Sequence, residues 1–242
     1  MRTESPSPSP SPSSIFRTAM GEDAFARLHP ELRRRFSVGL ASGELCVGRG
    51  VMDRIWHSKG LTRHLIRPFL ALGSTRNILL PRTGRDVPFV IENVPYLDSY
   101  GRETVTFVRT FRLPGGPRRF DATMVAGPAP GTVLDYLGTH QHLASELRLS
   151  AEPDGSLLIR SGEHRFREGP VDVRVPALVG ADAEVRESFD ERTGRFRIRV
   201  RVVNPYVGPL FGYEGSFTAS YASVRSCGVR PGLRPVREEA RA

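Results

Sequence analysis

Lysine is almost missing from this chain. Lys59 is the single one among 35 basic residues, so arginine carries nearly all of a formal net charge of +9. A positive balance ordinarily raises nucleic acid, anionic lipid or acidic ligands as partners. Arginine in place of lysine is what GC-rich coding alone produces, however, so the basicity selects none of these and nucleic acid is not the expected partner. Cysteine is nearly as scarce: Cys46 lies in a strand-like run and Cys227 near the end. Two cysteines without CxxC spacing exclude a disulfide scaffold and favour a reducing compartment. Long apolar runs are lacking too, with nothing near the roughly 18 consecutive apolar residues that span a bilayer. The opening MRTESPSPSPSPSSIF has no apolar stretch of the signal-peptide kind. A soluble, cytoplasmic protein is expected, without a transmembrane segment.

Catalytic signatures are missing in the same way. No GxSxG marks a nucleophile elbow, and no GxGxxG follows a strand to bind a dinucleotide. The GRG at 48–50 sits inside a strand-like run, without the lysine or helix start of a phosphate loop. No complete catalytic motif and no cofactor are expected.

What the chain does have is alternation. Residues 1–14 form a Ser-Pro leader of extended, disordered character, 226–242 a charged, proline-punctuated tail expected to be flexible, and 15–225 a single β-rich body. The body opens helical: Phe25, Leu28, Leu32 and Phe36 recur three and four apart, with Pro30 suiting the first turn of a second helix capped near His29. Leu61, Leu65, Phe69 and Leu72 predict another helix, bent or ended by Pro68. Beyond these the period is two. In RFRIRVRVV, Phe196, Ile198, Val200 and Val202 take one face and Arg195, Arg197, Arg199 and Arg201 the other. Similar runs at about 44–52, 87–97, 102–113, 118–126, 132–150, 157–167, 181–190 and 210–222 are joined by turn chemistry such as Asp154-Gly155 and Thr193-Gly194. So long an antiparallel meander would expose edges if it stayed open. It predicts a mainly β fold, closed or strongly curled into a calycin- or lipocalin-like barrel with two or three short N-terminal helices; a half-barrel gripping a helix is the alternative.

The apolar faces carry charge. Glu103 and Arg109 share a face with Val105, Phe107, Phe111 and Leu113; Asn93 falls among Val87, Phe89, Ile91 and Leu97; Glu187 among Ala181, Ala183, Val185 and Phe189; Arg49 among Leu45, Val47 and Val51. An ionised side chain is buried only when paired or when it lines a solvated, ligand-receiving cavity. Two readings follow: a network bracing the barrel, or a small-molecule site in an apolar interior with convergent polar groups. On the second, Asn93, Glu103 and Arg109 orient the polar end of an apolar or amphipathic ligand, lipid- or isoprenoid-like, while Arg49 and Glu187 balance charge. The alternative is an enzyme. His140, His142 and Glu146 have the His-X-His-X3-Glu spacing of a cupin's first metal motif, in which alternate strand positions aim two imidazoles at one ion. The motif is partial, since Leu134 stands where a glycine is expected and His164 is the only downstream histidine. The register of 132–150 puts the pair on the outer face unless a bulge at Gly138 turns it inward. The arginine ladder at 195–201 is a solvated face, or a third candidate site for an anionic partner.

FARLHPELRRRF, ASGELCVGRGVMDRIW, DSYGRETVTFVRTF, RRFDATMV, DYLGTHQHL, SGEHRF and GPLFGYEGSF together span most of 25–217. In these stretches the chain resembles the domain of unknown function 4166 family. The resemblance implies an actinobacterial association, and members that stand alone or follow an NAD(P)-binding module of the saccharopine-dehydrogenase or short-chain-dehydrogenase type. It implies no established activity, and any reductase role would fall to a separate NAD(P)-dependent oxidoreductase.

Overall fold

The computed structural model describes residues 14–58, 77–78, 80, 82–178, 180–224 and 229–241. The helix expected over Leu61 to Leu72, the leader before Ser14, and Cys227 lie outside the described residues. Among those described, α1 (Ile15–Met20), α2 (Glu22–Ala26) and α3 (Pro30–Phe36) precede the strands β1 (Glu44–His57), β2 (Gly84–Leu97), β3 (Glu103–Leu113), β4 (Gly116–Ala126), β5 (Thr132–Leu137), β6 (Leu143–Ala151), β7 (Leu157–Glu168), β8 (Val171–Arg174), β9 (Asp182–Asp190), β10 (Arg195–Asn204) and β11 (Gly208–Ser223). Each pairing is antiparallel. β6 pairs with both β5 and β7, and β1 with both β2 and β11, so ten strands close into a ring and β8 hangs on β7 as an outer hairpin. This is the closed antiparallel barrel that the alternation predicts, and closure leaves those ten strands no free edge.

The two faces of β10 are as expected: Phe196, Ile198 and Val200 are buried in the main core, while Arg197, Arg199 and Arg201 are exposed. The register of β1 is the reverse of the one expected. Cys46 and Met52 are buried within, and Arg49 and Val51 are exposed. Two facts explain the inversion. The inward positions between Cys46 and Met52 are Gly48 and Gly50, and neighbouring side chains fill their space: a Cβ on Gly48 would come within 2.6 Å of Ile91 and 2.7 Å of Phe217. On the outer face, Leu45 is apolar because it packs with Val94, Val108 and Leu233.

That last contact belongs to the tail. Residues 229–241, expected to be flexible, lie along the outside of the barrel. Arg234 stacks 4.7 Å from the Tyr96 ring centroid, the Glu239 N–H donates to Gln141 Oε1 (2.6 Å), and Tyr136 Oη donates to the Arg241 carbonyl. Glu239 is 3% exposed and accepts hydrogen bonds from Arg237 and Arg241, which hold its carboxyl down at about 2.

The helices close one end. His29 caps α3 by accepting the Glu31 N–H at Nδ1, with Pro30 at the first helical position as predicted. His29 also binds the β6–β7 turn through its N–H to the Gly155 carbonyl (2.9 Å) and stacks on Phe189 at 4.9 Å. Phe16 meets Phe36 and Phe107 edge-on at 5.2 and 5.8 Å, and Phe25, Leu28 and Leu32 join the same core. Each such side chain contributes about 1.5–3 kcal/mol by leaving water.

Candidate functional site

Two polar clusters occupy the interior. The first is organised by Arg35, which α3 inserts into the barrel on the same stripe as Leu28, Leu32 and Phe36. Its Nε donates to Glu187 Oε1 (2.5 Å), and its Nη1 donates to Asn93 Oδ1 (2.6 Å) and Cys46 Sγ (3.3 Å). The guanidinium carbon lies 5.0 Å from the Phe217 ring centroid. Burial pulls the Arg35 pKa down, but Glu187 and the hydrogen bonds outweigh it and the net direction is up. Burial pushes the Cys46 thiol up, against Arg35. Asn93 and Glu187 are thus inside, where alternation places them, and their neutralising partner is a helix residue that strand parity does not reach.

The second cluster is on other strands. Arg109 points inward from β3, 8% exposed, between the rings of Phe107 (5.6 Å) and Phe120 (5.1 Å). Asp135 points inward from β5 and is 7% exposed. Among the described residues, Arg109 Nε and Asp135 Oδ1 are both buried without a hydrogen-bond partner. Burial pushes the Asp135 carboxyl up to about 7, with Arg109 pulling the other way. In strand register Asp135 faces Ser145 on β6, and Ser145 faces His164 on β7. Ser145 Oγ and His164 Nδ1 share a hydrogen bond of 2.6 Å, and His164 Nε2 lies 3.7 Å from Asp182 Oδ1. Burial lowers the His164 pKa, against Asp182, so the ring is biased to its neutral form. An arginine, a weakened acid, a hydroxyl and a neutral imidazole therefore line neighbouring inner walls. Such a group can bind the polar end of a ligand and exchange protons with it.

The other expected site residues are placed elsewhere. Glu103 begins β3 at the helix-closed end, where its Oε1 accepts the Leu40 N–H (2.8 Å); a Cβ on Gly39 would lie 2.6 Å from that oxygen, so a larger residue there would displace the carboxylate. Arg49 is on the outer face, so its inward assignment is corrected. The cupin-like alternative is corrected as well. His140 and His142 occupy the turn between β5 and β6, stacked ring on ring at 5.7 Å, not alternate positions of one strand. His142 Nδ1 lies 2.5 Å from Glu168, whereas Glu146 is beside Arg148 at 3.5 Å. Among the described residues no three His, Cys, Asp or Glu side chains are grouped to hold a metal.

Arg35, Asp135, Ser145 and His164 are the residues that sequence reasoning missed. A cavity of about 380 Å³ opens at the rim away from the helices, with Arg54, Trp56, His57, Thr83 and Arg85 in its lining and neither Arg109 nor Asp135 among them. Outside the barrel Arg199 pairs with Glu214 (3.1 Å) and Arg197 approaches Asp53 (3.9 Å), so the ladder is partly neutralised. No helix among the described residues is long and apolar enough to cross a membrane.

Fold and interior together define a closed β-barrel domain with two internal polar clusters. The chain belongs to the family described as Domain of unknown function (DUF4166), whose model matches residues 28–217. It is similar to the uncharacterized protein YndH of Bacillus subtilis (strain 168), with 34% identity over 190 residues, which is 78% of this chain and 90% of that protein. No solved structure matches it. Both interior clusters fall within the matched residues, whereas α1, α2 up to Ala26 and the tail fall outside them.

Proposed function

We propose that the barrel is a small-molecule-binding module that holds an apolar or amphipathic ligand against its inner wall, with the ligand's polar end at Arg109 and Asp135. One observation carries the reading: among the described residues, Arg109 Nε and Asp135 Oδ1 are buried in an apolar interior with no hydrogen-bond partner. Leaving a buried polar atom unpaired costs about 1–3 kcal/mol, and more for a charged group. A ligand that supplies the missing partners recovers that free energy on binding. In this reading Asn93 and Glu187 brace the barrel through Arg35, and Glu103 anchors the loop at Leu40.

Native mass spectrometry of the purified protein is the test. A retained organic mass is expected on the wild type and is depleted on Arg109→Ala, whose circular dichroism and melting stay close to wild type. Equal retention by a folded Arg109→Ala variant, or no retained mass on either protein together with no uptake of added amphiphiles, would count against the site.

A further inference from the structure

The charges inside the barrel do not balance. Arg35 has Glu187 at 2.5 Å, but no carboxylate lies within ion-pair distance of Arg109 among the described residues. Asp135 is an acid two strands away on β5, within electrostatic range of Arg109, and it makes no ion pair among the described residues either; burial biases it toward the neutral form. The other charged or titratable groups around them are committed elsewhere. Asp121, opposite Val108 on the outer side of β4, is held by Arg119 (2.8 Å) and Asn77 (3.1 Å). Glu187 on β9 belongs to Arg35, and His164 on β7 is bonded to Ser145 on β6. Tyr213 on β11, within electrostatic range of Arg109, is biased neutral by burial. The cluster therefore presents a permanent cation, flanked by Phe107 and Phe120, within electrostatic range of an acid that donates a proton when neutral.

We infer that the ligand's polar end is a carboxylate, received by the Arg109 guanidinium and hydrogen-bonded by Asp135, so that the ligands are amphipathic carboxylic acids rather than the corresponding alcohols. This rests on the binding role proposed above. A guanidinium presents parallel N–H donors that match a carboxylate two-on-two, and an ion pair of this kind is strong where water is excluded. A hydroxyl group would leave the cation buried without a counter-charge. Asp135 adds a direction to the pH dependence. Once ionised, it repels a carboxylate and partly neutralises Arg109, so affinity falls as pH rises through about 7.

The experiment is calorimetric titration of the full chain, stripped of any retained ligand, with decanoate and with 1-decanol at pH 6 and pH 8. Decanoate is expected to bind at least tenfold more tightly than decanol at pH 6, and to lose about tenfold in affinity by pH 8. The Arg109→Gln variant is expected to lose the preference while still taking up decanol. Asp135→Asn, a near-isosteric second variant, is expected to keep the preference and lose the pH dependence. Equal affinities for the two probes, unaffected by Arg109→Gln, would overturn the carboxylate and leave the binding role standing. Uptake of neither probe by wild type, with no retained mass in native spectra, would overturn both.

Discussion

Arg35 and Arg109 are the same side chain in two environments of one barrel. Both are buried and both lie near phenylalanine rings. Arg35 is held by a carboxylate, an amide oxygen and a thiol; among the described residues Arg109 is held by rings and by no ion pair. A buried cation with its counter-charge in place is neutralised within the fold, even though Arg35 Nη2 and Asn93 Nδ2 have no hydrogen-bond partner among the described residues, and it fixes where the helix that carries it must sit. A buried cation without one raises the free energy of the folded state until something else arrives. The comparison separates bracing from the proposed reception by pairing, with both side chains buried.

The sharpest way to break it is to unpair the paired cluster. Glu187→Leu leaves Arg35 charged and uncompensated, and is expected to cost about 3–5 kcal/mol in urea unfolding. Adding Arg35→Met to that variant is expected to recover most of the loss. Failure of the double variant to recover would mean that Arg35 serves something other than Glu187. The second cluster is expected to respond to pH. Because the folded pKa of Asp135 is raised, from an ordinary value near 4 to about 7, the folded state binds the extra proton. Wild-type stability therefore falls, relative to Asp135→Asn, as pH rises from about 4 to about 7, and the difference is constant above that window. A loss in Asp135→Asn at pH 7 as large as that of Glu187→Leu would put Asp135 in the bracing class and erase the distinction. The smallest effect serves as the baseline: Arg201→Ala on the outer face of β10 is expected to change stability by no more than about 0.5 kcal/mol.

The alternation of polar and apolar residues made the barrel readable, because in a closed sheet one face is core and a period of two has a single meaning. It placed Asn93, Arg109 and Glu187 correctly on the inner face. It failed on β1, where the inward residues are glycines occupied by a neighbour's ring and the outward Leu45 is covered by the tail, so that hydrophobicity no longer reports the inside. Within 132–150 the apolar residues Val133, Leu137, Leu143 and Leu147 are odd-numbered, and so are Asp135 and Ser145. The signal for the second cluster was present there, but the run read as one strand with its histidines foremost. The turn at 138–142 divides it into β5 and β6, which brings Asp135 and Ser145 opposite each other. Arg35 was equally visible, three residues after Leu32 on the stripe of α3. What no local pattern supplies is that it meets Glu187, because that contact spans the fold.

The ring is fastened by its two extreme strands, Cys46 facing Tyr221 across the β1–β11 seam. A growing polypeptide emerging from the ribosome must carry β1 with one side unmatched through the making of the other nine staves. The seam is the most non-local pairing in the molecule, and topologies of this kind fold in milliseconds to seconds. During that wait β1 is a bare template for stray strands, which makes it the segment most in need of protection in the newborn chain.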